Sequence, residues 1–113
     1  MSKFRQEKMS GLIRDEVGAI LLKELDLSID AMVTVTRAIV SEDLMHARVY
    51  VSVLPDQLGK VALDEITKNI YHFQQLLNKK LRIRPIPKLY FVLDESEAEA
   101  AKIEKLVSEV VKE

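Results

Sequence analysis

The sequence predicts an α+β fold, a three-stranded sheet with its helices on one face. Three observations predict it. Apolar residues recur at three- and four-residue steps over residues 4–24 and again over 57–81. Two runs rich in Val, Thr and Ile, at 32–40 and 47–54, alternate instead. A third apolar run, 89–93, comes after the second helical stretch with two prolines just ahead of it. The order is therefore helix, strand, strand, helix, strand and, from Asp94 onward, a last helix. A length of 113 residues fits one domain covering 1–113.

The first helix, Phe4 to about Glu24, buries Met9, Leu12, Ile13, Val17, Ile20 and Leu21 and leaves Arg5, Lys8 and Asp15 wet. Gly11 and Gly18 weaken it, by about 1 kcal/mol each relative to Ala, unless a neighbour needs the space. The polar connector Ser41-Glu42-Asp43-Leu44-Met45-His46 is short enough to join an antiparallel pair. In the second strand Ala47, Val49, Val51 and Val53 share one face, and Arg48, Tyr50 and Ser52 the other. Pro55 ends that strand, and Asp56 is placed to cap the next helix.

The long helix to about Leu81 carries Leu63, Ile66, Ile70, Phe73, Leu77 and Leu81 inward and Lys68, Tyr71, Gln75 and Lys79 outward. Its length predicts a kink or a break near Asn69. Pro85 and Pro87 stop helix continuation, since each lacks an N–H and constrains its predecessor. In the last helix Ala98, Ala101, Ile103, Leu106, Val107 and Val110 are the apolar positions, and acidic residues crowd the first turns.

Charge is unevenly spread. The chain has a net charge of −1, but residues 1–93 sum to +3 and residues 94–113 to −4. Between Ile66 and Leu93 there is no carboxylate, while six Lys or Arg fall in that span. Five of these, Lys79, Lys80, Arg82, Arg84 and Lys88, cluster where the long helix meets the third strand. Cations in a helix's last turn meet its negative end, worth roughly 0.3–1 kcal/mol each. That covers Lys79 and Lys80. It leaves Arg82, Arg84 and Lys88 without a structural reason, and a polyanion is the partner their charge fits. The acidic final helix is expected to pack on the sheet or shield part of that basic surface.

Catalytic chemistry finds no support in the residue pattern. His46 and His72 are far apart. The adjacent acids Asp15-Glu16, Glu42-Asp43 and Asp64-Glu65 diverge on a helix or strand and form no acid/base pair. Gly59-Lys60 lacks the other residues of a phosphate-binding loop. The chain has no cysteine, which excludes disulfides and thiolate metal sites and agrees with a reducing, cytoplasmic location. No catalytic residue, metal site, cofactor or small-molecule substrate is predicted, nor any membrane segment. Asp43 is assigned to the turn, where its carboxylate caps backbone N–H groups. Tyr50 and Tyr90 have the chemistry to stack on bases, although packing is the commoner role of an aromatic on a sheet.

The element order resembles a type II KH domain, and the wording is similar to the ribosome-binding factor A family. Residues 41–52, Ser-Glu-Asp-Leu-Met-His-Ala-Arg-Val-Tyr-Val-Ser, resemble that family's S-x-D-L-x-x-A-x-V-Y-V-S block. Leu76-Leu77 through Leu81-Arg82-Ile83-Arg84-Pro85-Ile86-Pro87 resembles its L-L…L-R-L-R-x-x-P block, and residues 89–94 its L-x-F-x-x-D strand. The likeness spans most of residues 4–111. Two departures accompany it. A small residue and a glycine, common in the family at a kink of the long helix, are replaced here by Asn69 and Tyr71, which implies a shallower kink. The Gly-x-x-Gly loop of ordinary KH domains is absent, as it is from the family, so bases held in such a loop are not implied.

The resemblance implies a non-catalytic maturation factor that binds the small ribosomal subunit and its 16S rRNA during late assembly or rRNA processing, as a monomer. The expected contacts are Lys79, Lys80, Arg82, Arg84 and Lys88 on phosphates, with Lys68 and Tyr71 extending the surface and Arg5, Lys8 and Arg48 as secondary candidates. The alternative is a small KH-like or ferredoxin-like interaction or dimerisation module, because this architecture hosts many roles. Salt-insensitive self-association without retention on RNA would distinguish it.

Overall fold

The computed structural model describes residues 2–96, so from 97 onward the expected last helix lies outside the described residues. Helix α1 (Ser2–Glu24) leads into strand β1 (Met32–Val40), then β2 (His46–Leu54). A 3-10 turn (Asp56–Leu58), helices α2 (Gly59–Lys68) and α3 (Ile70–Lys80), and strand β3 (Lys88–Leu93) complete the order. The sheet runs β1-β2-β3, with β1 antiparallel and β3 parallel to β2. Among the described residues the helices cover one face of the sheet.

That face is apolar because β2 alternates. Ala47, Val49, Val51 and Val53 are buried against Ile13, Val17, Ile20 and Leu21 of α1, Ile66 of α2, and Phe73 and Leu77 of α3. Burying the Val, Ile, Leu and Phe side chains among them stabilises the fold by about 1.5–3 kcal/mol each. Phe73 meets Phe91 of β3 edge-on, with centroids 6.2 Å apart. This ties the third helix to the third strand.

Two local expectations are corrected. Asp56 caps no helix: Pro55 precedes the 3-10 turn, Leu58 precedes α2, and neither start has a side-chain cap. Asp56 lies inside the first turn instead, where its charge meets the helix's positive end. Strict alternation fails in β1, because the register slips between Val35 and Arg37. This bulge turns Ala38 and Val40 inward, and Arg37 joins Tyr50 on the other face. Neither glycine of α1 is forced by packing. A Cβ on Gly11 would meet nothing within 4 Å, and one on Gly18 only Val35 at an ordinary 3.8 Å. The glycine that admits a close neighbour is Gly59, whose absent Cβ would lie 2.9 Å from a methyl of Leu93.

The expected break in the long helix occurs at Asn69, without a glycine. Its backbone (φ −102°, ψ 13°) leaves the helical region, its side-chain amide donates to Glu65 O at 2.9 Å, and its own carbonyl accepts from Phe73 N. One residue thus closes α2 and opens α3.

Candidate nucleic-acid interface

The elbow between α3 and β3 is built from a helix stop and a polar clamp. Leu81 leaves the helix in an extended conformation (φ −90°, ψ 134°) with its side chain buried, so Arg82, Ile83 and Arg84 loop outward. Pro87 is buried and Lys88 opens β3 beside His46. Gln74 holds this loop to α3. Its amide nitrogen donates to Pro87 O at 3.2 Å, and its amide oxygen accepts from Leu89 N at 2.9 Å. Gln74 is not legible as a clamp in the sequence, since nothing in its local pattern separates it from an ordinary helix-flank glutamine.

The sequence-predicted cations divide by what they touch. Lys68, Lys79, Arg82 and Lys88 are exposed. Tyr71 is 74% exposed and lines a shallow concavity with Gln74, Asn78, Ile86 and Lys88, so the helix flank and the elbow form one surface. Lys80 reaches Glu16 of α1, with Nζ and Oε2 3.2 Å apart, in a bridge that solvent reaches from both sides. Such a pair adds little stability but partly offsets the lysine's charge. Arg84 folds back: Nη1 donates to Leu81 O at 2.9 Å and Ile83 O at 2.8 Å, and Nη2 approaches Asn78 O at 3.5 Å. It caps the negative end of α3 and keeps the remaining guanidinium edge exposed.

Arg5 and Lys8 stand at the same end of the sheet. Gln6 Nε2 donates to Val40 O at 2.7 Å, and Ser10 Oγ accepts from Val40 N at 3.0 Å. Val40 pairs with Ala47, next to the His46–Lys88 pair. Arg48 lies apart, on the uncovered face of the sheet between Ile39 and Tyr90.

The turn at the β1–β2 corner is set by Asp43. Its Oδ1 accepts from Ser41 Oγ at 2.6 Å and Met45 N at 3.0 Å, while Ser41 Oγ accepts from His46 N. Those donors, Ser41 first, hold the Asp43 carboxyl below its usual range. Leu44, inside the turn, adopts φ 62°, an uncommon conformation for a bulky residue. At the opposite corner Asp94 accepts from Ser96 N, Ser96 Oγ and, at 2.6 Å, Thr36 Oγ1. Ser96 and Thr36 push its pKa down to about 2. Glu65 accepts from the Ser28 hydroxyl and backbone N–H, which lowers its pKa and ties the α1–β1 connection to α2. Each of these three carboxylates is occupied by structural hydrogen bonds.

Among the described residues no polar or charged side chain is buried, and no cluster of three or more His, Cys, Asp or Glu is placed to hold a metal. Among them too, no helix is long and apolar enough to cross a membrane. The geometry defines a class: a KH-like α+β domain whose helix-to-strand elbow displays cations without carboxylates.

Comparison with known proteins agrees with that class. The family model for ribosome-binding factor A matches residues 5–107. A curated ribosome-binding factor A from Gemmatimonas aurantiaca is 36% identical over 108 residues, covering 94% of this chain and 74% of that protein. The crystal structure of ribosome-binding factor A from Thermus thermophilus superposes with a TM-score of 0.67 at 18% identity, over 78% of this chain and 94% of that one. A homology model of the Thermus thermophilus factor has also been fitted into the cryo-EM map of a 30S–RbfA complex. Those coordinates match with a TM-score of 0.63 at 20% identity, over 76% of this chain and 91% of that one. The chain belongs to the ribosome-binding factor A family.

Proposed function

We propose that this protein is a non-catalytic maturation factor that binds the 30S subunit through 16S rRNA during late assembly or rRNA processing. One observation carries the reading. The stretch from Ile66 to Leu93 has no carboxylate, and its cations are exposed on α2, α3 and the elbow. A surface of one sign gains most by neutralising phosphates. The 30S complex of the Thermus thermophilus relative supports the choice of particle.

Lys79, Arg82 and Lys88 are the principal phosphate ligands, and Lys68 and Tyr71 continue the surface along the helices. Lys80 and Arg84 contribute the charge that their intramolecular contacts leave available. Arg5 and Lys8 flank the surface at the end of the sheet. The mechanism is electrostatic docking on rRNA shape, with no bond made or broken.

The double variant Lys79→Glu/Arg82→Glu tests it, because neither side chain supports the fold. It should lose co-sedimentation with 30S subunits while its thermal unfolding stays close to the parent's. Undiminished co-sedimentation would overturn the assignment.

A further inference from the structure

The face of the sheet that no helix covers among the described residues has a composition that their packing does not explain. Besides Met32–Leu54, Thr34–Ser52, Ile39–Arg48 and Tyr50–Val92, three cross-strand pairs lie on it: Arg37 opposite Tyr50, Arg48 opposite Tyr90, and His46 opposite Lys88. Each contains a Lys or Arg and none contains a carboxylate. Opposite charges are the stabilising choice for exposed facing pairs, and a lysine beside a histidine gains nothing. Asp94, past the end of β3, is held by Ser96 and Thr36, and Arg37 also acts on it electrostatically without forming an ion pair among the described residues. The β1 bulge is what delivers Arg37 here, since strict alternation would have sent it toward the helices.

The aromatic side chains are arranged for stacking. Tyr90 is 40% exposed, with Lys88 Nζ 5.7 Å from its ring centroid and the His46 ring also at 5.7 Å. Its hydroxyl lies 3.3 Å from His46 Nδ1, which steadies the ring. Arg37 lies over the Tyr50 ring with Cζ 4.1 Å from the centroid, a ready-made cation–π stack. Stacking rings interleaved with cations are the chemistry that holds unpaired nucleic acid: bases lie on the rings and phosphates meet the cations.

We propose that this open face is a platform for single-stranded RNA, on which a base stacks on Tyr90 while Arg48, Arg37 and Lys88 meet the flanking phosphates. It rests on the reading of the protein as an rRNA binder and extends it. Lys88 belongs to both surfaces, so one RNA can pass from the elbow, which reads backbone, to the sheet, which takes up an unpaired base. An acidic peptide is the competing occupant. Charge alone would satisfy it, and the tyrosines would be incidental.

The test uses the full-length chain with a fluorescent unpaired RNA 12-mer of mixed sequence and a duplex RNA of equal length. Tyr90→Ala should weaken the unpaired RNA roughly 5- to 150-fold, the range of one lost base–aromatic stack. Duplex affinity should change less than about twofold, since its bases cannot unstack onto the sheet. Tyr90→Phe keeps the ring and should bind as the parent does. Unchanged unpaired-RNA binding by Tyr90→Ala, an equal loss on duplex, or a parallel loss in Tyr90→Phe would each overturn the platform. So would poly-glutamate competing as well as unlabelled RNA. The same variants mixed with 30S subunits separate the two readings. If Lys79→Glu/Arg82→Glu fails to bind and Tyr90→Ala behaves as the parent in every assay, only the platform falls. Parental subunit binding by the double charge reversal brings down the functional reading itself.

Discussion

At the scale of single residues, the two arginines of the elbow differ in what they do, although sequence treats them alike. Arg84 folds onto the carbonyls of Leu81 and Ile83 just beyond α3 and approaches Asn78 O in its last turn, and among the described residues Arg82 makes no comparable contact. Arg84→Ala should therefore cost about 0.5–1 kcal/mol after allowance for its exposure, read as a fall of a few degrees in Tm. Arg82→Ala should stay within about 0.5 kcal/mol of the parent. Equal melting of the two variants would remove the capping role. Sequence cannot separate them, because the guanidinium's direction depends on where Leu81 leaves the helix. The turn role of Asp43 was legible, since a carboxylate two residues after Ser41 and two before Met45 has donors within reach.

Asp94 gives the fold an acid-sensitive tie. Its pKa falls from the ordinary 3.8 to about 2 on folding, chiefly through the Ser96 hydroxyl and then Thr36. A depressed carboxylate adds stability that is complete above its unfolded value and disappears as pH drops through the folded one. The parent should thus lose stability between about pH 4 and pH 2, and Asp94→Asn should flatten that limb in urea titrations. An unchanged slope would show that the tie does not form in solution.

At the scale of elements, boundaries and faces were mostly legible because periodicity carries them. Val33 and Val35 face inward as alternation requires. Beyond Thr36 the pattern shifts, and a strand with apolar residues at Ala38, Ile39 and Val40 in succession gives no sign of which one turns in. The break at Asn69 was legible from length, but its cause was not, because the side chain caps the helix that precedes it. Asn69→Ala should lose that cap at about 0.5–1 kcal/mol. In α1, Gly11 lies in open space, so Gly11→Ala should raise stability by about 0.5–1 kcal/mol through helix propensity. A destabilised Gly11→Ala, measured by chemical denaturation, would mean that something not seen in this fold occupies that site.

At the scale of the molecule, one side of the sheet is committed to packing, and among the described residues no helix covers the other. The carboxylate-free stretch was visible in the sequence. That Lys80 is paired to Glu16 was not, since the residues lie on different helices. Nor was the grouping on the open face, which needs the register of three strands. The charge arrangement has a thermodynamic signature. Each rRNA phosphate neutralised should add roughly 0.7–0.9 to the slope of log affinity against log salt, so removing two ligands should flatten it by roughly 1.5. A slope unchanged in Lys79→Glu/Arg82→Glu would show that those cations do not meet phosphates.

Whether the protein docks on the small subunit through rRNA phosphates is decided by co-sedimenting the purified full-length chain with 30S subunits, 50S subunits and 70S ribosomes over a salt series. Phosphate-mediated docking on the small subunit predicts binding to 30S particles that weakens steeply with salt, and little on the others. Salt-insensitive binding, equal binding to all three particles, or binding to none would contradict it.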